Sequence, residues 1–212
     1  MANQKKKGMN LPNKLTVLRI CLVPVFIVIM MLPASLLNPS VSGLLGVAIF
    51  IVASITDMLD GKIARKYGLV TDFGKLMDPL ADKFMVIGAL AVIVYRARLD
   101  ATCLFFTLIL LVVVFRELGV SALRLVASTS SGAVVAANML GKIKTVTQII
   151  FVSTVFIEPA LYAIPALGDL LPGWWTANVP LSYVTGALTL LFTVWSGINY
   201  FIGMWKYLDP EK

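Results

Sequence analysis

Four aspartates occur in two closely spaced pairs, Asp57 with Asp60 and Asp78 with Asp82. Residues three or four apart on a helix share a face, so each pair can present two carboxylates together. If the two helices are antiparallel neighbours, all four carboxylates converge at one depth. Their mutual repulsion in a low-dielectric site favours a divalent cation, and all-oxygen ligation suits Mg²⁺ or Mn²⁺. Because pairs of such ions recur in phosphoryl transfer, the spacing predicts an acidic site for two metal ions.

The residues between the acidic pairs include small side chains and one arginine. Gly61 and Ala64 lie one helical turn from the first pair, and Gly74 lies one turn before Asp78. Side chains without bulk let a ligand approach the backbone closely. Arg65 adds a cation whose planar fork suits phosphate. Acids and arginines at helix ends are often only solvated caps, but that interpretation explains a single pair better than it explains this whole set.

The composition indicates that these residues belong to a membrane protein. Of the 212 residues, 59% are hydrophobic and 14% are charged, and the mean hydropathy is +0.91. Soluble domains are about 45–50% apolar and about 25% charged, so a soluble or disordered chain is disfavoured. With this hydropathy, the net charge of +7 indicates a lipid partner rather than nucleic acid. The chain has no histidine, which excludes histidine-based zinc sites, histidine general bases and Ser-His-Asp triads.

Six apolar runs approach the length of about 20 residues that a transmembrane helix needs. Backbone polar groups must be satisfied inside lipid, so the runs are predicted to be helices. The predicted fold is an all-α polytopic membrane protein, a bundle of six transmembrane helices with an N-terminal interfacial segment near Pro12. A loop is expected at 128–132. A second loop, which is rich in proline and irregular, is expected at 159–180. The predicted spans are 15–32, 41–59, 80–95, 101–118, 143–163 and 181–205.

The distribution of basic residues predicts the orientation of these spans. With the N-terminus in the cytoplasm, all but Arg96 and Arg98 of the 18 lysines and arginines lie on the inner side. Arg19 and Lys144 belong to this inner set. The asymmetry follows the positive-inside rule. We therefore expect an integral protein of the cell (plasma) membrane, with both termini and the acidic site on the cytoplasmic side.

The two acidic pairs and the small residues between them match the signature of the CDP-alcohol phosphotransferase family in every gap. This resemblance implies a six-helix membrane fold, a homodimer and an active site open to the cytoplasm. It also implies the reaction, in which an acceptor hydroxyl attacks the β-phosphorus of a CDP-linked lipid or alcohol and CMP leaves. The matching pattern is Asp57-x2-Asp60-Gly61-x2-Ala64-Arg65-x8-Gly74-x3-Asp78-x3-Asp82.

The resemblance also implies roles for the individual residues. Asp82 would complete the metal site and act as the catalytic general base. Arg65 would contact a phosphate of the CDP-lipid. The other motif residues form two sets: Asp57, Asp60 and Asp78, which would bind the metals and the pyrophosphate, and Gly61, Ala64 and Gly74, which would line the cytidine pocket.

Further segments resemble the bacterial phosphatidylglycerophosphate synthases, a branch of this family. That branch joins CDP-diacylglycerol to sn-glycerol 3-phosphate, giving phosphatidylglycerophosphate and CMP in phospholipid biosynthesis. The resemblance covers about residues 9–208, which implies one domain over 1–212 with a basic extension over 1–9. By the same resemblance, Arg116, Arg124 and Lys142 would form the glycerol 3-phosphate pocket. The similar segments are 10–19, 115–118, 123–124, 140–145 and 196–200.

The residue types themselves favour an anionic acceptor, although other interpretations stay open. Arg116 lies in an apolar run, where a cation is costly and usually faces the bundle interior. Its alternative role is a pair with Glu117 or a neighbouring aspartate, and Arg124, Lys142 and Lys144 could be ordinary inner-surface cations. An anionic acceptor would account for three cations near the inner mouth of one bundle.

Alternative functions are the same chemistry with inositol phosphate, serine or a phospholipid as acceptor, and an ion transporter. A transporter would explain the acids but not Arg65 and the small residues. In a transporter, acids are expected along the depth of the bilayer, whereas here they cluster at the inner end. An intramembrane prenyltransferase would need a second acidic motif, which the later sequence lacks.

Overall fold

The computed structural model describes residues 9–69, 71–97, 101–131 and 139–205. Every regular element within those ranges is a helix, which confirms the all-α class. Six helices have at least 21 residues, and two short ones connect the fifth long helix to the last. They are α1 (Leu11–Met31), α2 (Pro39–Lys66), α3 (Asp72–Arg96), α4 (Ala101–Ser131), α5 (Met139–Tyr162), α6 (Pro165–Gly168), α7 (Gly173–Asn178) and α8 (Pro180–Met204).

The six long helices correspond to the six predicted spans. Five of them, α1, α2, α4, α5 and α8, are long and apolar enough to cross a membrane. The exception is α3, whose first half carries the charges of Asp78, Asp82 and Lys83. The helix that carries half of the predicted acidic site is therefore the least membrane-like of the six.

Two predicted loops are helical in the structure. The prediction at 128–132 was wrong, because α4 continues to Ser131; Gly132 lies outside the described residues. Thr129 donates its hydroxyl to the carbonyl oxygens of Leu125 and Val126, so this polar residue is satisfied by the preceding turn instead of ending the helix. The segment 159–180 contains α6 and α7. Three of its four prolines stand at helix starts, where they need no N–H donor, and Pro159 lies inside α5.

The N-terminal region starts directly as α1. Asn10 caps this helix by accepting a hydrogen bond from the backbone N–H of Asn13 (3.1 Å), and Pro12 stands in the first turn. Within the described residues no separate interfacial helix precedes the span. Residues 1–8 of the basic extension, and Arg98, Lys206 and Lys212 of the orientation argument, lie outside the described residues.

A short turn joins the two helices of the acidic motif. Gly68 has a φ of 62°, a left-handed conformation that favours glycine, and the N–H of Leu69 bonds the carbonyl of Ala64 (2.9 Å). Thr71 then caps α3 by accepting from the N–H of Gly74 (3.0 Å). The helix α1 packs against α2 and α3 more extensively than these two pack against each other. The convergence of the acidic pairs therefore depends on α1.

The interior is apolar and the outer surface is apolar as well. Phe26 packs its ring 6.1 Å from that of Phe50 and 5.9 Å from that of Phe156. On the outside, Phe115 is 82% exposed. In lipid there is no hydrophobic driving force between helices, so they associate through close packing at small residues. Gly43 fits this rule, since a Cβ there would stand 2.9 Å from the carbonyl oxygen of Phe156.

Candidate active site

The first acidic pair is held by an arginine from α1. Arg19 has no exposed surface, and its Nη1 lies 2.5 Å from Oδ1 of Asp57 while its Nη2 bonds Oδ2 of Asp60. Asp60 is 3% exposed and the side chain of Asp57 is 36% exposed. The planar fork of one guanidinium therefore fixes two carboxylates one turn apart on α2.

The second acidic pair is tied to the same helix. Thr16 is buried, and its hydroxyl lies 2.6 Å from Oδ1 of Asp78 and 3.1 Å from the carbonyl oxygen of Pro12. One turn earlier on α1, Oδ1 of Asn13 accepts from the hydroxyl of Thr71 (2.9 Å). These contacts fix the start of α3 against the start of α1.

Electrostatic interactions link all four motif acids. The charge of Asp57 interacts with those of Asp60 and Asp78. Asp82 interacts with Asp57 and also with Lys144 and Glu117, which lie on α5 and α4. The four acids thus lie within electrostatic range of one another at one end of the bundle, and Asp82 is also within range of a second charged cluster.

The donor set fits a divalent cation in its chemistry. All four motif side chains offer carboxylate oxygens, which hard cations such as Mg²⁺ prefer, and Arg19 balances only one of their charges. The part of the chain that the structure describes contains no three acidic side chains placed as a coordination shell. The fit therefore lies in charge and donor type, and the metal ligands Asp57, Asp60, Asp78 and Asp82 stay a prediction.

The small residues and Arg65 of the motif lie next to the acids. A Cβ on Gly61 would stand 3.6 Å from Nη2 of Arg65, so the exposed guanidinium folds back over this glycine. Gly74 is buried, and a Cβ there would stand 3.3 Å from Oδ1 of Asn13 and 3.7 Å from Oδ2 of Asp78. A larger residue at position 74 would therefore press on the contacts that hold the site. The predicted cytidine pocket of Gly61, Ala64 and Gly74 is not tested by these contacts.

A second charged cluster joins α4, α5 and α8. Glu117 accepts from Nη1 of Arg116 (3.1 Å) and from the buried Lys144. Arg116 also donates from Nη2 to the hydroxyl of Ser196 (2.6 Å). The alternative pairing of Arg116 with Glu117 is thus present in the structure. The cluster carries more positive than negative charge, which suits an anionic ligand.

Two further predicted acceptor residues lie near this cluster along the chain. Arg124 donates from Nε to the hydroxyl of Tyr200 (2.7 Å), and its guanidinium stands 5.2 Å from the centre of that ring. It shares the continuous helix α4 with Arg116. Lys142 is exposed on α5, two residues before the buried Lys144. The structure therefore joins Arg116 and Lys144 through Glu117 and leaves Lys142 at the surface.

Comparisons with known proteins identify the family that these contacts suggest. The sequence model of the CDP-alcohol phosphatidyltransferase family matches residues 9–195. The chain belongs to this family. A protein from Bacillus subtilis named CDP-diacylglycerol–glycerol-3-phosphate 3-phosphatidyltransferase is 39% identical over 210 residues, which cover 96% of this chain and 99% of that protein. A protein of the same name from Haemophilus influenzae is 33% identical, over 90% of this chain and 91% of that protein. Another from Rickettsia felis is 38% identical, over 70% of this chain and 75% of that protein.

As a member of the CDP-alcohol phosphatidyltransferase family, the chain is a transferase. Four residues with these contacts were given no site role from the sequence, Thr16, Arg19, Glu117 and Lys144, although Glu117 was named as a possible partner of Arg116. Arg19 had a usable signal, because a basic residue inside an apolar span suggests a functional role by default. Thr16 had none, since a threonine in such a span usually bonds its own helix.

Proposed function

We propose that this enzyme transfers the phosphatidyl group from CDP-diacylglycerol to sn-glycerol 3-phosphate, giving phosphatidylglycerophosphate and CMP. The relatives named for this reaction, which cover nearly the whole chain, support the proposal. The observation that carries it is the cluster of Arg116, Glu117 and Lys144, whose excess positive charge suits the acceptor phosphate and lies within electrostatic range of Asp82 in the donor motif. An acid near both groups can act on an acceptor hydroxyl beside the donor phosphate.

The chemistry follows from the motif residues. Asp57, Asp60 and Asp78 would hold divalent cations, Mg²⁺ or Mn²⁺ and two in number, which would supply positive charge for the donor pyrophosphate. Asp82 accepts the proton of the acceptor hydroxyl, whose oxygen is a weak nucleophile until then. The new bond forms between that oxygen and the β-phosphorus, and the bond from this phosphorus to the CMP oxygen breaks.

The remaining motif residues hold the donor. Arg65 is exposed beside Gly61 and can contact a phosphate with its planar fork. The lack of bulk at Gly61, Ala64 and Gly74 leaves room for the cytidine. These assignments rest on the family positions.

The acceptor phosphate is held by Arg116 and Lys144 of the second cluster together with Arg124 and Lys142. Arg124 bonds only the neutral Tyr200 among the contacts described, so its full charge is available to a dianion. Arg116 and Lys144 share Glu117, which leaves one positive charge between them. Lys142 is exposed two residues away and can reach the mouth of the same region. A phosphate-free acceptor would not need this excess of positive charge.

The membrane arrangement extends this proposal. The exposed apolar surface fits a lipid environment, and six spans with both termini cytoplasmic would place the acidic end of the bundle at the inner face of the cell membrane. This arrangement counts α3 as a span in addition to the five helices that are apolar enough to cross a membrane. The homodimer and the single domain over 1–212 are expectations from the family.

The experiment is CMP release by the purified full chain in CDP-diacylglycerol vesicles with Mg²⁺. Adding sn-glycerol 3-phosphate should start release, and mass spectrometry should detect phosphatidylglycerophosphate. Serine, inositol phosphate and phosphatidylglycerol are the comparison acceptors, since they represent the other branches. Equal release with a phosphate-free acceptor would contradict the acceptor assignment but not the family chemistry.

A further inference from the structure

The start of α1 carries a row of polar residues, each three positions from the next, that the proposed reaction does not use. This α1 polar row consists of Asn10, Asn13, Thr16 and Arg19. Residues three apart form a ridge inclined to the helix axis, so the row winds from one neighbouring helix toward the other. Three of its members, Asn13, Thr16 and Arg19, are buried in a helix that otherwise buries mainly apolar side chains. Burial of polar groups is costly unless each finds a partner.

Every member of the row contacts the segment that carries the acidic motif. Asn10 donates from Nδ2 to the carbonyl of Leu69 (2.9 Å), in the turn between α2 and α3. Asn13 accepts from Thr71 at the cap of α3. The partners of the last two members are motif acids: Asp78 for Thr16, and Asp57 and Asp60 for Arg19.

The pattern of partners assigns a common task to the row. Three of the four motif acids, Asp57, Asp60 and Asp78, each receive a side-chain hydrogen bond from Thr16 or Arg19, although α2 and α3 themselves share few contacts. Each bond takes one oxygen of a carboxylate, and a carboxylate has two oxygens. A bond to one oxygen fixes the rotation of the group and leaves the other oxygen able to bind a cation.

We infer that the α1 polar row positions the motif carboxylates for the divalent cation, with Thr16 orienting Asp78 and Arg19 orienting Asp57 and Asp60. Thr16 and Arg19 are positioning residues, since they act through the acids and touch no substrate themselves. This inference rests on the proposed function only in taking the acids as the cation site. Outer-shell partners of metal ligands contribute about 10–100-fold to metal affinity or activity.

The test is Mn²⁺ binding to the purified full chain in detergent, followed by electron paramagnetic resonance in the absence of both substrates. Thr16→Val keeps the shape of threonine without its donor and should weaken Mn²⁺ binding about tenfold. Thr16→Ser restores the hydroxyl and should bind within about twofold of the original chain. Arg19→Lys keeps the charge but loses the fork that reaches both acids, so it should weaken binding about tenfold or more.

The matched control is Thr193→Val on α8. Thr193 is fully buried, and its hydroxyl has no partner among the described residues. This change repeats the chemistry of Thr16→Val outside the acidic motif and the α1 polar row, so Mn²⁺ affinity should not change. Thermal unfolding without metal, measured for every variant, shows whether a loss of binding reflects loss of the fold.

The outcomes separate this inference from the proposed function. Folded Thr16→Val and Arg19→Lys variants that bind Mn²⁺ as tightly as the original chain, or more tightly, would overturn the inference. Tighter binding by Arg19→Lys in particular would show that the guanidinium competes with the cation. Failure of the original chain to release CMP with sn-glycerol 3-phosphate would overturn the proposed function and leave the Mn²⁺ comparison intact.

Discussion

Buried carboxylates at opposite ends of this bundle are stabilised in different ways. Glu158, near the end of α5, is 2% exposed and accepts four hydrogen bonds from neutral donors. The donors are the hydroxyl of Tyr162 (2.7 Å), the N–H of Leu181 (3.0 Å), and the N–H (2.7 Å) and hydroxyl (2.6 Å) of Ser182. At the other end, Asp57 and Asp60 share the single guanidinium of Arg19.

The number of hydrogen-bond donors distinguishes the structural acid from the acids that are predicted to bind a cation. An ionised carboxylate has about four acceptor positions, and Glu158 fills them from its surroundings. Its partners include backbone N–H groups in the first turn of α8, where the helix dipole favours a negative charge. Val179 caps α8 without a side-chain hydrogen bond, so Glu158 supplies that cap from α5. Among the described residues the motif acids have fewer donors, and Arg19 is the one cation that bonds them directly, which leaves negative charge for the predicted metal.

Metal removal should have the largest effect, because it should abolish activity at the acidic end of the bundle and leave the Glu158 end folded. With excess EDTA, CMP release should fall below detection, because the motif carboxylates would hold the donor phosphates only through cations. Addition of Mg²⁺ or Mn²⁺ should restore it. The chain should stay folded in EDTA by thermal unfolding, since Glu158 needs no ion. Full turnover in EDTA, with both metals shown to be absent, would contradict the metal site.

Asp82→Asn should lower kcat by about 10²-fold or more, the scale of a general base. CDP-diacylglycerol binding should be retained, because Asp57, Asp60 and Asp78 stay in place. The measurement is single-turnover CMP release together with donor binding. Asp72→Asn is the control, since Asp72 is exposed on the same helix, and it should leave kcat unchanged. If Asp82→Asn loses donor binding and keeps its chemical rate, Asp82 serves only as a ligand.

Arg124→Ala should raise the KM for sn-glycerol 3-phosphate by a factor that corresponds to about 1.5–3 kcal/mol, the contribution of a hydrogen bond to a charged group. The KM for CDP-diacylglycerol should change little, because Arg65 and the acids hold that substrate. Tyr200→Phe removes only the neutral partner of Arg124 and should have a smaller effect. Steady-state kinetics with each substrate varied in turn measure both constants. A selective increase in the donor KM would remove Arg124 from the acceptor pocket.

The sequence predicts the helices better than it predicts the contacts between them. Apolar runs locate all six long helices, because span length and burial act on every residue of a run. The spacing of Asp57, Asp60, Asp78 and Asp82 also predicts that they share one end of the bundle. It cannot show that α1 lies against both acidic helices, since that depends on packing between segments distant in the sequence.

The residues that were given no role from the sequence have partners far along the chain. Thr16 looks like any threonine in an apolar helix until its contact with Asp78 is seen. Glu117 and Lys144 are separated by a predicted loop, and only the packing of α4 and α5 brings them together. Glu158 carries no motif at all, and its role depends on where α8 begins.

Glu158→Gln should have the smallest effect on catalysis and a clear effect on stability. The amide keeps one acceptor oxygen, but its NH₂ group would face donors that now bond the second carboxylate oxygen. Leaving such buried donors unpaired costs about 1–3 kcal/mol, and the favourable charge at the start of α8 is lost as well. Thermal or denaturant unfolding in detergent measures this loss. The kcat and the Mn²⁺ affinity should match the original chain, because Glu158 lies at the far end of α5 from Lys144. Asp82→Asn is the reciprocal control: it should lose turnover and keep its unfolding temperature. A Glu158→Gln variant that unfolds normally but loses Mn²⁺ binding would show that the two ends are coupled, and that counting hydrogen-bond donors does not separate a structural acid from a functional one.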